Sequence, residues 1–148
     1  MGTLFILGPA LDTLDTLVSE YASYTDAIRD GAIARGWLPP FIPTTATVIR
    51  EVHNIDTNEQ WLSFSLPSQE VHTLSTMLTT ISLDEARTSL YRVDSKVGDW
   101  PPELSTKKPG RQPKSEHLTT LRTVDGVYGV AIDKRKNRIY VWSTTSAG

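Results

Sequence analysis

The chain has 148 residues, 39% of them hydrophobic and 22% charged, with no cysteine and a formal net charge of −2. A chain this long buries roughly two thirds of its unfolded surface, enough for a core without metals or disulfides. The absence of cysteine excludes zinc ribbons, iron–sulfur clusters, thiol catalysis and disulfide scaffolds, and a mildly acidic chain lacks the basic surface of a general nucleic-acid binder.

Charge is unevenly divided. Residues 1–74 carry three basic and nine acidic side chains and residues 75–148 twelve and eight, so the halves have net charges of −6 and +4. Interleaving of the halves in one fold would erase the asymmetry, which is the preferred reading. Segregation would leave a bipolar surface suited to a charged partner or to self-association.

In chain order, Leu4-Phe-Ile-Leu7 is too short to span a membrane and lacks the basic residues that open a signal peptide. Residues 1–10 therefore read as a leader remnant or a junction. Leu11, Leu14, Leu17, Val18, Tyr21, Tyr24 and Ile28 recur at three- and four-residue steps, predicting one broken helix or two over about residues 10–35. Ser23 or Thr25 can cap the second, with Asp26 in its first turn and Gly31 or Gly36 at its end. Three prolines at 39, 40 and 43 then impose an extended path, and Trp37, Leu38, Phe41 and Ile42 are expected to lie across the core as a strap.

Residues 47–55 and 60–66 predict a hairpin, turned at Asp56-Thr-Asn-Glu59. Ser68 is expected to cap a helix through about Ile81, followed by a short helical turn at 83–90. Residues 93–116 read as an irregular basic loop. Its Lys107-Lys-Pro-Gly-Arg-Gln-Pro-Lys114 lacks the Arg-Gly-Arg core of a minor-groove hook, so no nucleic-acid partner is expected. Strands at 117–124, 127–132 and 138–143 close the chain as a meander. The expected fold is α+β in one domain spanning 1–148: an antiparallel sheet of about five strands, hairpin plus meander, with N-terminal and central helices packed on one face.

Glu51-Val-His53-Asn-Ile-Asp56 is the constellation most suggestive of chemistry. On a strand, Glu51 and His53 share a face, and Asp56 at the turn can orient the imidazole as in a general base. Two ligands are too few for a metal, and neither His72 nor His117 stands at a recognisable spacing, so no metal or cofactor is expected. Lys134, Arg135 and Arg138 form a basic hairpin tip able to touch an anion. Trp61, Tyr140 and Trp142, with Tyr128, can build an aromatic platform, although strand aromatics more commonly pack under helices.

The segments Tyr24-Thr-Asp-Ala-Ile-Arg-Asp-Gly-Ala-Ile-Ala-Arg-Gly-Trp-Leu-Pro39, Ile49-Arg-Glu-Val-His-Asn-Ile-Asp-Thr-Asn58 and Trp61-Leu-Ser-Phe64, with Arg138-Ile-Tyr-Val-Trp142, resemble a family of small bacterial proteins, many with an N-terminal membrane anchor or lipoprotein signal. The resemblance covers about residues 21–66 and 127–143 and implies a domain at the cell envelope, with a cytoplasmic location as the alternative. It implies no reaction. This chain lacks an intact anchor and the cysteine pair expected in some members, so membrane contact is expected only through a missing or remnant anchor.

The expectation is thus a non-enzymatic binding module with a protein partner at the cell envelope. The alternatives are an inhibitor or immunity-type protein, and a small hydrolase or metal-dependent enzyme using Glu51, His53 and Asp56.

Overall fold

Alternating β-branched and aromatic residues place both predicted hairpins at the centre of one antiparallel sheet. This computed structural model describes residues 15–90, 92–98, 100–105 and 116–144. The leader-like residues 1–10 and positions 106–115 of the predicted basic loop lie outside them. Among the described residues there are seven strands: β1 (Thr16–Ser23), β2 (Thr47–Asn54), β3 (Gln60–Ser65), β4 (Thr79–Thr80), β5 (Leu118–Arg122), β6 (Tyr128–Asp133) and β7 (Arg138–Ser143). Their spatial order is β1-β2-β3-β7-β6-β5-β4, all antiparallel. The helices are short: α1 (Tyr24–Arg29), α2 (Ser68–Thr76), α3 (Leu83–Ser89) and α4 (Pro102–Ser105), with a 3-10 turn at Ser95–Val97.

This corrects the expected five-stranded α+β fold in three ways. First, residues 16–23 of the predicted N-terminal helical stretch form strand β1, which runs against β2 from Thr16↔Asn54 to Ser23↔Thr47, positions 10–14 of that stretch lying outside the described residues. Its spacing of apolar residues suits a helix, but Thr16, Val18 and Tyr21 also favour extended backbone, and the β2 edge supplies hydrogen-bond partners that an isolated helix would not need. Only α1 survives, capped by Ser23, one of the two candidates, whose Oγ accepts from the Asp26 N–H at 3.2 Å. Second, α2 stops at Thr76, and Thr79–Thr80 pairs with β5 as an added edge strand.

Third, helices cover both faces. Along β3, β6 and β7 successive side chains alternate between two apolar clusters, as a strand period of two requires. Leu62, Phe64, Val130, Ile132, Ile139 and Val141 meet α1, α2 and the proline strap through Ala27, Leu38, Ile42 and Leu74. Trp61, Ala131, Tyr140 and Trp142 meet α3 and the 97–104 segment through Ala86, Val97, Trp100 and Leu104. Residues 93–98 and 100–105, expected to belong to an irregular basic loop, therefore contribute to a second cover layer through Val97, Trp100 and Leu104. Periodicity shows that both strand faces are apolar but not which downstream segment returns to cover them.

The strand order also keeps the two halves of the chain side by side. β1 to β3 lie on one flank and β4 to β7 on the other, joined at the β3–β7 pair. The strands of the two halves do not interleave, but outside the strand pairing the halves do mix: Ser95–Val97 packs on β1 and β2, Arg92 pairs with Glu59, and Lys96 donates to the Thr16 carbonyl. Among the described residues no helix is long and apolar enough to cross a membrane.

Candidate functional site

The segment Asp30 to Trp37 is shaped by two glycines in the left-handed region, Gly31 at φ +78° and Gly36 at φ +77°. After α1, the Gly31 N–H bonds the Ile28 carbonyl and the Ala32 N–H the Ala27 carbonyl. Five residues on, the Gly36 N–H bonds Ile33 and the Trp37 N–H bonds Ala32. These are two successive Schellman closures, each needing a residue without a β-carbon penalty. Their effect is to deliver Trp37 onto the open end of β2. A β-carbon at Gly36 would meet nothing within 4 Å, so Gly36→Ala should cost only the left-handed backbone penalty of roughly 1–2 kcal/mol. Urea denaturation checks that size, and the near-ultraviolet dichroism of Trp37 reports its displacement.

Strand register builds the rest. Leu17, His53 and Gln60 face one another across β1, β2 and β3, and Ser19, Glu51 and Leu62 form the next row. His53 stacks on Trp37 with ring centroids 4.6 Å apart, and the Arg35 guanidinium lies 4.2 Å from the Trp37 ring. Arg35 is held by the Asp30 carbonyl and, at 3.3 Å, by its carboxylate, which also accepts from Tyr21 Oη at 2.6 Å. The Gln60 amide donates to the Trp37 carbonyl, fastening the strap to β3. These groups surround a pocket of about 450 Å³ that is rimmed by Leu17, Ile55, Asn58 and Tyr128.

Beneath the pocket Glu51 is fully buried, and its two carboxyl oxygens stand 2.8 and 3.0 Å from His53 Nδ1. Burial pushes the Glu51 carboxyl up to about 8, against a smaller opposing contribution from its hydrogen bond with Gln60. Burial also lowers His53. The contact has the geometry of an ion pair, but both partners are driven toward their neutral forms, so at pH 7 it is a neutral hydrogen bond from the carboxylic acid to the imidazole.

Glu51 and His53 thus come together on one face, as the strand spacing required. Asp56 does not join them. It is exposed at the hairpin turn, where its N–H and that of Thr57 bond the buried Asn54 side chain at 2.9 Å. No hydrogen bond or ion pair links Asp56 to His53. Among the described residues no cluster of three metal-ligating side chains occurs, and the pocket lining contains no serine, threonine, cysteine or lysine.

Three of the four aromatic candidates on the strands are interior, Tyr128 being half-buried at the pocket rim. Trp61, Tyr140 and Trp142 are all buried, with Trp61 Nε1 donating to the Arg92 carbonyl and Trp142 Nε1 to Ser89 Oγ. Lys134 and Arg135 are exposed at the β6–β7 turn, Arg135 lying 3.8 Å from Asp133. Arg138 instead reaches across β3 to Ser63 Oγ, Ser65 Oγ and the Val48 carbonyl. That carbonyl belongs to a bulge of β2, where Val48 sits at φ 49°.

Residues 15–65 match the family model of the YbbD head domain. The match covers about a third of the chain, supports a bacterial family, and includes the Asp30–Trp37 turns and the β2–β3 hairpin. Every lining residue of the pocket except Tyr128 falls inside it. Neither the search of curated proteins nor that of solved structures returned a match.

The site residues that the sequence reading missed are Arg35, Trp37 and Gln60. Trp37 belongs to the proline strap and packs in part against the core, as its sequence context predicts. The signals that could have found them were the Gly31 and Gly36 spacing and the position of Gln60 opposite His53 in the hairpin. A second concavity of about 460 Å³ is apolar, lined by Pro40, Phe41, Met77, Leu78 and Val124 and sharing Tyr128 with the first.

Proposed function

We propose that this chain is a binding module at the bacterial cell envelope that engages a protein partner through the Trp37–His53 pocket. The observation that carries this reading is the pairing of a preorganised polar floor with an apolar rim. Glu51, Gln60 and Arg35 are held by internal hydrogen bonds, while Leu17 and Ile55 beside them are 42% and 55% exposed. Fixed polar groups with adjoining uncovered apolar side chains are the composition of a recognition surface. The coincidence of the pocket with the YbbD head-domain segment supports the same reading. An inhibitor would use this surface with its target as the partner.

The test is affinity capture from a bacterial envelope extract with three forms of the full chain. Leu17→Glu/Ile55→Glu should abolish retention of a protein that both the wild type and Met77→Glu retain, the last altering only the apolar groove. Circular dichroism should show all three folded. Loss with Met77→Glu alone would move the partner to the other groove, and retention by every variant would overturn the reading.

A further inference from the structure

We propose that the Trp37–His53 pocket binds the C-terminal carboxylate of a polypeptide with an apolar last residue, using His53 Nε2–H and the Arg35 guanidinium as donors, and that Glu51 is the positioning residue that keeps the imidazole proton on Nε2. The proposal deepens the reading of the pocket as a partner surface and rests on it.

The geometry fixes the ring first. Both Glu51 oxygens lie against Nδ1, so that nitrogen points into the core and Nε2, on the opposite edge of the ring, points away from it toward the pocket. Nε2 has no hydrogen-bond partner among the described residues. Arg35 commits Nη2 to Asp30 and keeps Nε and Nη1 for a ligand. His53 and Arg35 both line the pocket against Trp37; two such donors, one of them a guanidinium, match a carboxylate, and Leu17 and Ile55 in the same lining match an apolar side chain next to it.

The proton on the ring follows from its buried neighbour. A neutral Glu51 carboxyl donates its O–H to Nδ1, so the neutral imidazole must carry its own proton on Nε2. When Glu51 ionises it accepts from Nδ1–H instead. Nε2 then presents a lone pair to the ligand carboxylate, and binding is lost. Burial pushes Glu51 up to about 8, so the change falls on the alkaline side of neutrality. Protonation of His53 in acid leaves Nε2–H in place.

The other groups facing this pair are Tyr21 from β1, Gln60 from β3, Asp30 and Arg35 from the glycine turns, and Tyr128 from β6. Both tyrosines are raised above their usual range by burial, so neither ionises where Glu51 does. Asp30 offsets part of the Arg35 charge.

The experiment is titration of the full chain with acetyl-glycyl-leucine as the free acid, its C-terminal amide, and acetyl-aspartyl amide, at pH 6, 7 and 9.5. The free acid should bind about tenfold more tightly than either amide, the worth of one charge-assisted hydrogen bond, and should weaken about tenfold from pH 7 to 9.5. Glu51→Gln, whose amide donates to Nδ1 at every pH, should bind without the alkaline loss, and His53→Phe should not bind. In the free protein, 15N shifts of His53 should place the proton on Nε2 at pH 7 and move it to Nδ1 above pH 8.

Equal binding of acid and amide, an alkaline loss that persists in Glu51→Gln, or a fixed tautomer would overturn the proposal. Equal binding of the aspartyl probe would replace the chain terminus with an acidic side chain. If no probe binds while Leu17→Glu/Ile55→Glu still loses its partner, the carboxylate assignment fails alone. If no variant affects partner capture either, the binding surface fails with it.

Discussion

Glu51→Gln is expected to stabilise the protein at pH 8, and to do so increasingly as pH rises from neutrality. The Glu51 carboxyl is raised from its ordinary 4.5 to about 8 by burial, so between those values the native state holds a proton that the unfolded chain releases. Stability therefore falls with rising pH through the window, by up to about 1.4 kcal/mol per pH unit. His53 is lowered by burial and acts in the opposite direction, but only below its ordinary 6.5, where the unfolded chain takes up a proton first. Above pH 6.5 the Glu51 contribution stands alone for this pair. Glutamine keeps both hydrogen bonds without the ionisation, so its advantage should reach about 2–4 kcal/mol at pH 8 and above and shrink toward zero near pH 5. Urea denaturation of both proteins across pH 5–9 measures it. A parallel pair of curves would show that Glu51 ionises freely in the native state.

Gly129→Ala should destabilise the fold by about 2–3 kcal/mol, the range for overpacking a core that has no room to relax. Gly129 pairs directly with Trp142 across β6 and β7, and a β-carbon at position 129 would overlap the indole at Cε2, Cζ2 and Nε1. The ring cannot swing aside cheaply. It is fully buried, its Nε1 donates to Ser89 Oγ at 3.0 Å, and Trp100 packs edge-on with centroids 6.3 Å apart. For a chain of this size the loss corresponds to a Tm decrease of roughly 5–10 °C. Trp142→Leu removes the obstructing ring and should itself cost about 3 kcal/mol. In the double variant Gly129→Ala should add little further cost, since residues in contact are not additive. Simple additivity in denaturant melts would mean that the glycine and the indole do not share the space.

These two residues differ in how far the sequence announced them. Glu51 was visible as part of Glu51-Val-His53, and the strand period alone put the two side chains on one face. What the linear pattern could not supply was depth: the same spacing on an exposed strand gives a solvated pair, and Asp56 then looks like the natural partner of His53. In the folded chain Asn54 takes over the turn and leaves Asp56 in solvent, while Glu51, buried beneath the pocket, becomes the partner of His53. Gly129 carried no signal, because a glycine within a strand reads only as a weak position until the tryptophan opposite it is known. Arg35, Trp37 and Gln60 meet His53 through a turn and a hairpin register, and the distance between them along the chain concealed the pocket.

By itself the sequence determined the local geometry: both hairpins, a helix start at Ser23 or Thr25, the proline strap and the shared face of Glu51 and His53. These follow from side-chain periods, capping chemistry and restricted backbone angles, all of which act over a few residues. Only the tertiary structure decided that Thr16–Ser23 is a strand, that both sheet faces are covered, and that β1 to β3 and β4 to β7 form separate flanks of one sheet. Those outcomes depend on which distant segment satisfies a backbone edge or an apolar face. A residue pattern that fits either helix or strand is resolved by the partner it finds. The uneven charge of the chain was thus plain from its composition, whereas the fold brings Arg92 and Lys96 of the basic half back onto the acidic half, at Glu59 and the Thr16 carbonyl.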